Sequence, residues 1–160
     1  MKELQIQTNV KVYSYDELEP SLAELVDIAK RKTQDAYCPY SHFHVGAAVL
    51  LADGQIVTGA NQENAAYPSG LCAERTTLFA ANANHPQTPV VALALACYTN
   101  GHFTKDVASP CGACRQVMLE TEKRFGTPIK VILYSEAGCY VFDSAADLLP
   151  LSFAANNLEG

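Results

Sequence analysis

Three cysteines and a glutamate are the residues of this chain whose types and spacing can do chemistry. Cys111 and Cys114, in the run Cys111-Gly112-Ala113-Cys114, stand at i and i+3. In a first helical turn their thiolates share one face and can hold one metal ion. A CxxC pair alone also fits a redox couple or plain packing. A third cysteine, Cys72, opens a second apolar, helix-like run, "GLCAERTTLF", and shifts the balance toward metal. Three protein ligands are the catalytic zinc number and leave the fourth position to water, whereas a structural site closes with four. His42, His44 or Cys38 would be the fourth ligand of such a structural module.

The charges beside these cysteines fit the same chemistry. If Cys72 and Cys111 both open helices, two positive dipole ends converge on the metal and favour thiolate forms. Three thiolates still leave a divalent cation with net negative charge, which makes a bound water a poorer acid. Arg75 and Arg115, close in sequence to ligands, can donate to a sulfur and blunt that charge. Each also has a plain reading as a solvated surface charge. Glu74 can face the open metal position, where a water needs its proton moved. Its plain reading is a carboxylate that complements a helix N-terminus.

The elements that must position these groups are read from periodicity. Residues 1–15 read as an extension, in which "LQIQTNVKVYSY" alternates like a loose strand. From Pro20, Leu22, Leu25, Val26, Ala29 and Ala36 recur near one helical face, and Pro39 ends the segment. "FHVGAAVLLADGQIVTGAN" reads as a hairpin turning at Asp53-Gly54. A helix starts near Cys72 and runs to about Ala83, and "VVALALACY" reads as a buried strand. "PCGACRQVMLETEKRF" is a helix with Pro110 in its first turn and Gly126 as its stop. "IKVILYS" and "CYVFD" are short strands, and "SAADLLP" is a short last helix. The order αββαβαββ gives an α/β fold, one mixed five-stranded sheet covered by helices.

Composition sets the limits. A chain of 160 residues, 49% hydrophobic and 18% charged, suits one domain with a real core. A formal net charge of −6 disfavours binding to a phosphate backbone, so no nucleic-acid partner is expected. The N-terminus lacks the apolar core of a signal peptide, and no window reaches the roughly eighteen apolar residues of a membrane span. A cytoplasmic protein without a membrane partner is expected. Its six cysteines are then thiols or ligands rather than a disulfide framework. Cys38, Cys97 and Cys139 read as buried thiols.

Beyond the cysteines, "AYCPYSHFHVGAAVL", "GANQENAAY", "CAERTTLF", "SPCGACRQV" and "LLPLSF" occur in an order that resembles the small homotetrameric zinc cytidine deaminases, from about residue 20 onward. Cys72 stands where the H-x-E form of the deaminase signature has histidine. The resemblance implies an α-β-α three-layer sandwich, one zinc ion per subunit, and a single catalytic domain over 16–160. It implies deamination of cytidine and deoxycytidine by zinc-held hydroxide at C4, with Glu74 as proton shuttle, in pyrimidine salvage. Phe43 then packs on the pyrimidine, and Asn61 with Glu63 binds the ribose 3′-hydroxyl. The backbone around Ala73 and Ser109 reads the base's polar edge. Tyr67 and Phe153 enter the pocket of a neighbouring subunit in a homotetramer. An aminonucleoside-antibiotic deaminase lacks the N-x-E-N pattern of Asn61 to Asn64, and nucleotide or nucleic-acid deaminases carry His where Cys72 stands.

Replacing Cys72 with Ala is expected to release the metal. Full zinc occupancy of that variant by elemental analysis would remove Cys72 from the ligand set.

Overall fold

The apolar run of residues 90–99 forms β4 (Val90–Thr99), the strand around which the rest is ordered in the computed structural model, which describes residues 1–158. Before it come β1 (Lys11–Tyr13), α1 (Pro20–Lys32), β2 (His44–Leu51), β3 (Ile56–Ala60) and α2 (Ala73–Asn84). After it come β5 (His102–Phe103), α3 (Gly112–Phe125), β6 (Lys130–Ser135) and β7 (Gly138–Phe142). The sheet runs β1-β7-β6-β4-β2-β3, with β5 paired to β4. Among the described strands, only β4 and β6 pair in parallel, and α3 makes the crossover that a parallel pair requires. Among the described residues, no helix is long and apolar enough to cross a membrane.

The sheet has seven strands rather than five. The five expected strands are all present, and the two additions are short. Of the alternating N-terminal stretch, only Lys11, Val12 and Tyr13 pair, with Val141, Tyr140 and Cys139 of β7. The other addition comes from Asn100-Gly101, whose positive φ angles of 52° and 86° build a two-residue turn that lays His102 opposite Thr99. An Asn-Gly pair is a strong hairpin signal, because both residues tolerate the left-handed region.

Strand alternation divides the core into two layers. Ala47, Val49, Leu51, Leu93, Leu95, Val131 and Leu133 pack on one face with Leu78 and Ala81 of α2 and Met118 of α3. Ala48, Ala92, Ala94, Ala96 and Ile132, one residue out of phase, pack on the other face with Leu22, Leu25, Val26 and Ala29 of α1. A period of two thus sorts the strands, and spacings of three and four sort the helix. The outcome is the three-layer α-β-α sandwich.

α1 ends sooner than its apolar periodicity suggests. Thr33 Oγ1 donates to the Lys30 carbonyl at 2.8 Å, and a 3-10 turn over Thr33–Asp35 comes next. Ala36 therefore lies beyond the helix. Lys30, Arg31 and Lys32 occupy its last turn, where the dipole favours cations. The helix expected in "SAADLLP" is likewise a 3-10 turn, over Ala145–Leu148, and a further 3-10 turn over Ala155–Asn157 follows it.

The α1 layer lies close against β2 because Gly46 has no side chain. A Cβ placed there would sit 2.1 Å from the Ala29 carbonyl oxygen and 2.6 Å from the Thr33 nitrogen. Both neighbours are backbone, so neither can turn aside. Gly46→Ala is therefore expected to destabilise the fold by roughly 1–3 kcal/mol or more, the range of overpacked cores. Urea unfolding measures this, and a midpoint equal to the parent's would contradict it.

Candidate active site

α2 and α3 begin at the same place. Cys72 caps α2 with φ −68° and ψ 154°, and Cys111 caps α3 with φ −67° and ψ 165°. Their sulfurs lie 3.9 Å apart, and Cys111 Sγ lies 3.4 Å from Cys114 Sγ one turn into α3. Pro110 falls just ahead of the cap rather than in the first turn. Its carbonyl is taken instead by Arg115, whose Nε donates to it at 2.8 Å.

The three sulfurs suit zinc. Tetrahedral zinc–sulfur bonds of about 2.3 Å place ligand sulfurs roughly 3.8 Å apart. All three ligand atoms here lie within 4.8 Å of one another. His42, His44 and Cys38 do not join that cluster among the described residues. The Cys114 thiol beside Cys72 draws the Cys72 thiol well below its usual range, with help from Arg75 and Cys111 and against burial. The Cys114 thiol moves upward, because it donates to that thiolate and is buried.

Arg75 meets the cluster from within α2. Its terminal nitrogen approaches Cys72 Sγ at 3.9 Å, while its buried Nε has no hydrogen-bond partner. Arg115 goes elsewhere. Besides Pro110, it donates to the Leu148 carbonyl at 2.9 Å, so its hydrogen bonds go to main-chain oxygens and not to sulfur. Glu74, only 5% exposed, lies in the first turn of α2. Burial pushes its carboxyl pKa upward, and the negative charge of Cys72 adds to that.

A cavity of about 310 Å³ opens beside the sulfurs, lined by Cys72, Cys111, Glu74, Phe43, Asn61, Glu63 and Ser109. Its floor is apolar, made by Val45 of β2 and by Leu95 and Cys97 of β4. Val45 pairs directly with Cys97, and both face the α2 side of the sheet. Motif and spacing do not single out Val45 or Leu95, and they mark Cys97 only as a buried thiol. Strand parity is the signal that finds them, since these residues share the phase of Ala47. Ala73, fully buried, is the first residue of α2, and Ser109 is exposed on the loop before α3.

Asn61 is buried and already occupied by backbone. Its Oδ1 accepts from Val45 N–H at 2.8 Å, and its Nδ2 donates to the Phe43 carbonyl at 2.9 Å. It thus fixes the chain on both sides of His44, and Phe43 with it. Glu63 accepts from Tyr40 N–H at 2.9 Å and Ser41 N–H at 3.2 Å. Hydrogen bonds from Ser41 and Tyr40 hold its carboxyl below the usual range. Tyr67 is exposed beside Tyr40 in an adjoining cleft that also reaches Cys72 and Arg75. Phe153, also exposed, lines neither space, and its carbonyl accepts from Gln116 Nε2 at 2.9 Å.

Comparison with known proteins agrees with this geometry. Residues 20–126 match the model of the cytidine and deoxycytidylate deaminase zinc-binding region. A cytidine deaminase of Halalkalibacterium halodurans is 41% identical over 135 residues, which span 84% of this chain and 96% of that protein. One from Sporosarcina psychrophila is 39% identical over 136 residues, 85% of this chain and 93% of its own. The crystal structure of cytidine deaminase from Burkholderia pseudomallei superposes with a TM-score of 0.69 at 41% identity, covering 81% of this chain and 97% of that one. The fold and its cysteine cluster therefore define a zinc-binding deaminase. The chain belongs to the cytidine and deoxycytidylate deaminase family, and it is a cytidine deaminase in kind.

The Asn61 bonds give a test with a definite sign. Asn61→Asp keeps the acceptor for Val45 but sets a carboxylate oxygen against the Phe43 carbonyl. A loss of about 1–3 kcal/mol is expected at neutral pH, from one broken hydrogen bond and a desolvated charge. The new carboxyl regains the lost donor when protonated, so its folded pKa exceeds the unfolded value near 3.9. Its penalty should shrink as pH falls through that raised pKa. A penalty that stays constant or grows on acidification, in urea unfolding of the variant against its parent, would contradict the arrangement.

Proposed function

We propose that this enzyme hydrolyses cytidine and deoxycytidine to uridine and deoxyuridine, releasing ammonia, in pyrimidine salvage in the cytoplasm. The observation that carries this reading is that a buried carboxyl, Glu74, shares one cavity with Cys72 and Cys111. Cys72, Cys111 and Cys114 would hold one zinc ion per subunit, which would lower the pKa of water at the site toward neutrality.

The rest falls to side chains. Glu74 takes the proton of the attacking water and passes it to N3 of the pyrimidine, which makes C4 electrophilic. It then moves the remaining hydroxyl proton to the exocyclic amine, which leaves as ammonia. One carboxylate acts as base and then as acid, so it must reach all three positions with little movement. The first turn of α2 gives it that rigidity, and burial favours its carrying a proton between transfers.

Phe43 packs against the base over the apolar floor. Asn61 has spent one amide hydrogen on Phe43 and keeps the second for the ribose 3′-hydroxyl, whose own proton Glu63 accepts. The first backbone N–H groups of a helix lack intrahelical partners, which suits the α2 start at Ala73 to the base's polar edge, with Ser109 opposite. Tyr67 and Phe153 complete the pocket of a neighbouring subunit in a homotetramer. Arg75 offsets the excess negative charge of the thiolates.

Glu74→Gln is expected to keep its fold and its zinc and to lose turnover by roughly 10²–10⁴-fold, the range for a general acid–base group. Ammonia release from cytidine, deoxycytidine and CMP, with and without a zinc chelator, makes the measurement. Near-parental turnover in the variant, or CMP as the best substrate, would overturn this reading.

A further inference from the structure

The main-chain carbonyl just before the ligand Cys111 does not hang free, and its partner comes from an unexpected quarter. The Arg115 guanidinium bridges two carbonyl oxygens that are remote in sequence, Pro110 at 2.8 Å through Nε and Leu148 at 2.9 Å through Nη1. Pro110 is buried and its carbonyl belongs to the peptide that carries Cys111, so fixing that oxygen fixes the plane from which the Cys111 side chain departs. Leu148, 5% exposed, closes the 3-10 turn that comes after β7.

That turn is itself rigid, because a second buried group of α3 holds its other end. Glu122 is 8% exposed, and its carboxylate accepts from Ser144 Oγ at 2.7 Å, Ala145 N–H at 2.8 Å and Ile129 N–H at 2.9 Å. The residues after β7 therefore run alongside α3 as a strut, tied at the helix's C-terminal end by Glu122 and at its N-terminal end by Arg115. Without the strut, Cys111 would stand on an exposed cap whose own thiol is solvent-accessible.

We propose that Arg115 is a positioning residue of the metal centre: it locks the Pro110–Cys111 peptide to the turn at Leu148, and so sets the direction of the Cys111 sulfur. It acts through a carbonyl and not on a sulfur. A planar guanidinium with donors on separate edges can span two carbonyls, and a lysine ammonium on a flexible stem reaches one point. The inference rests on the reading of the three cysteines as a zinc site.

The test uses purified, zinc-loaded protein and measures the rate of zinc release to a chromogenic chelator, together with the absorption spectrum of the cobalt(II)-substituted form. Arg115→Ala is expected to release zinc roughly 10–100-fold faster, the usual cost of losing an outer partner of a ligand, and to shift the sulfur-to-cobalt bands. Arg115→Lys should fall between it and the parent. Asn82→Ala serves as the structural comparison, since it breaks only the bond from Asn82 Nδ2 to Thr121 Oγ1 between α2 and α3. It should lower the melting temperature and leave zinc release and the cobalt spectrum unchanged. Parental release and an unshifted spectrum in both Arg115 variants would overturn the inference, as would an equal change in Asn82→Ala. A parent protein that takes up no zinc would remove the metal-site reading itself, and this inference with it.

Discussion

Two helices that must begin within one sulfur–sulfur contact of each other constrain everything else in this molecule. Cys72 and Cys111 are both cap residues, and their sulfurs approach to 3.9 Å. Helix N-termini carry partial positive charge and repel one another when aimed at one point. What makes the convergence favourable is the negative charge of the Cys72 thiolate, whose pKa its surroundings draw down. Arg75 inside α2 brings a positive charge to the same place, its terminal nitrogen 3.9 Å from Cys72 Sγ. The site and the packing of α2 on α3 are thus one problem with one solution.

The sheet makes that solution rigid. β4 is central, so its alternation sets which side chains face the helix pair and which face α1. The same phase that buries Ala47 and Leu93 brings Val45, Leu95 and Cys97 to the cavity floor, where the strands run past the helix starts. Asn61 joins the strand edge to the Phe43 segment, so a group facing the cavity also holds its wall. Gly46 lets α1 approach from behind without a gap.

Much of this was legible in the sequence because it obeys local rules. The five longer strands, three helices and the Asp53-Gly54 turn come from periodicity and turn chemistry, and the grouping of Cys72, Cys111 and Cys114 from cysteine spacing. What stayed hidden depends on contacts between distant residues. Arg115 looked like a neighbour of sulfur by position, yet the turn at Leu148, far along the chain, offered a carbonyl it could reach. Nothing in the local sequence marks Glu122, and only the fold brings Ile129 and Ala145 to it. β5 was the exception, since Asn100-Gly101 announced it and its two-residue strand was too short to register as a period.

Three sulfurs holding one zinc ion, with a position open beside Glu74, is the arrangement we propose for this site. X-ray absorption at the zinc edge of the loaded protein tests it most directly. Three sulfur neighbours at about 2.3 Å and one lighter oxygen neighbour near 2.0 Å are the predicted shell. Four sulfurs, a histidine nitrogen in the fourth place, or fewer than three sulfurs would contradict it.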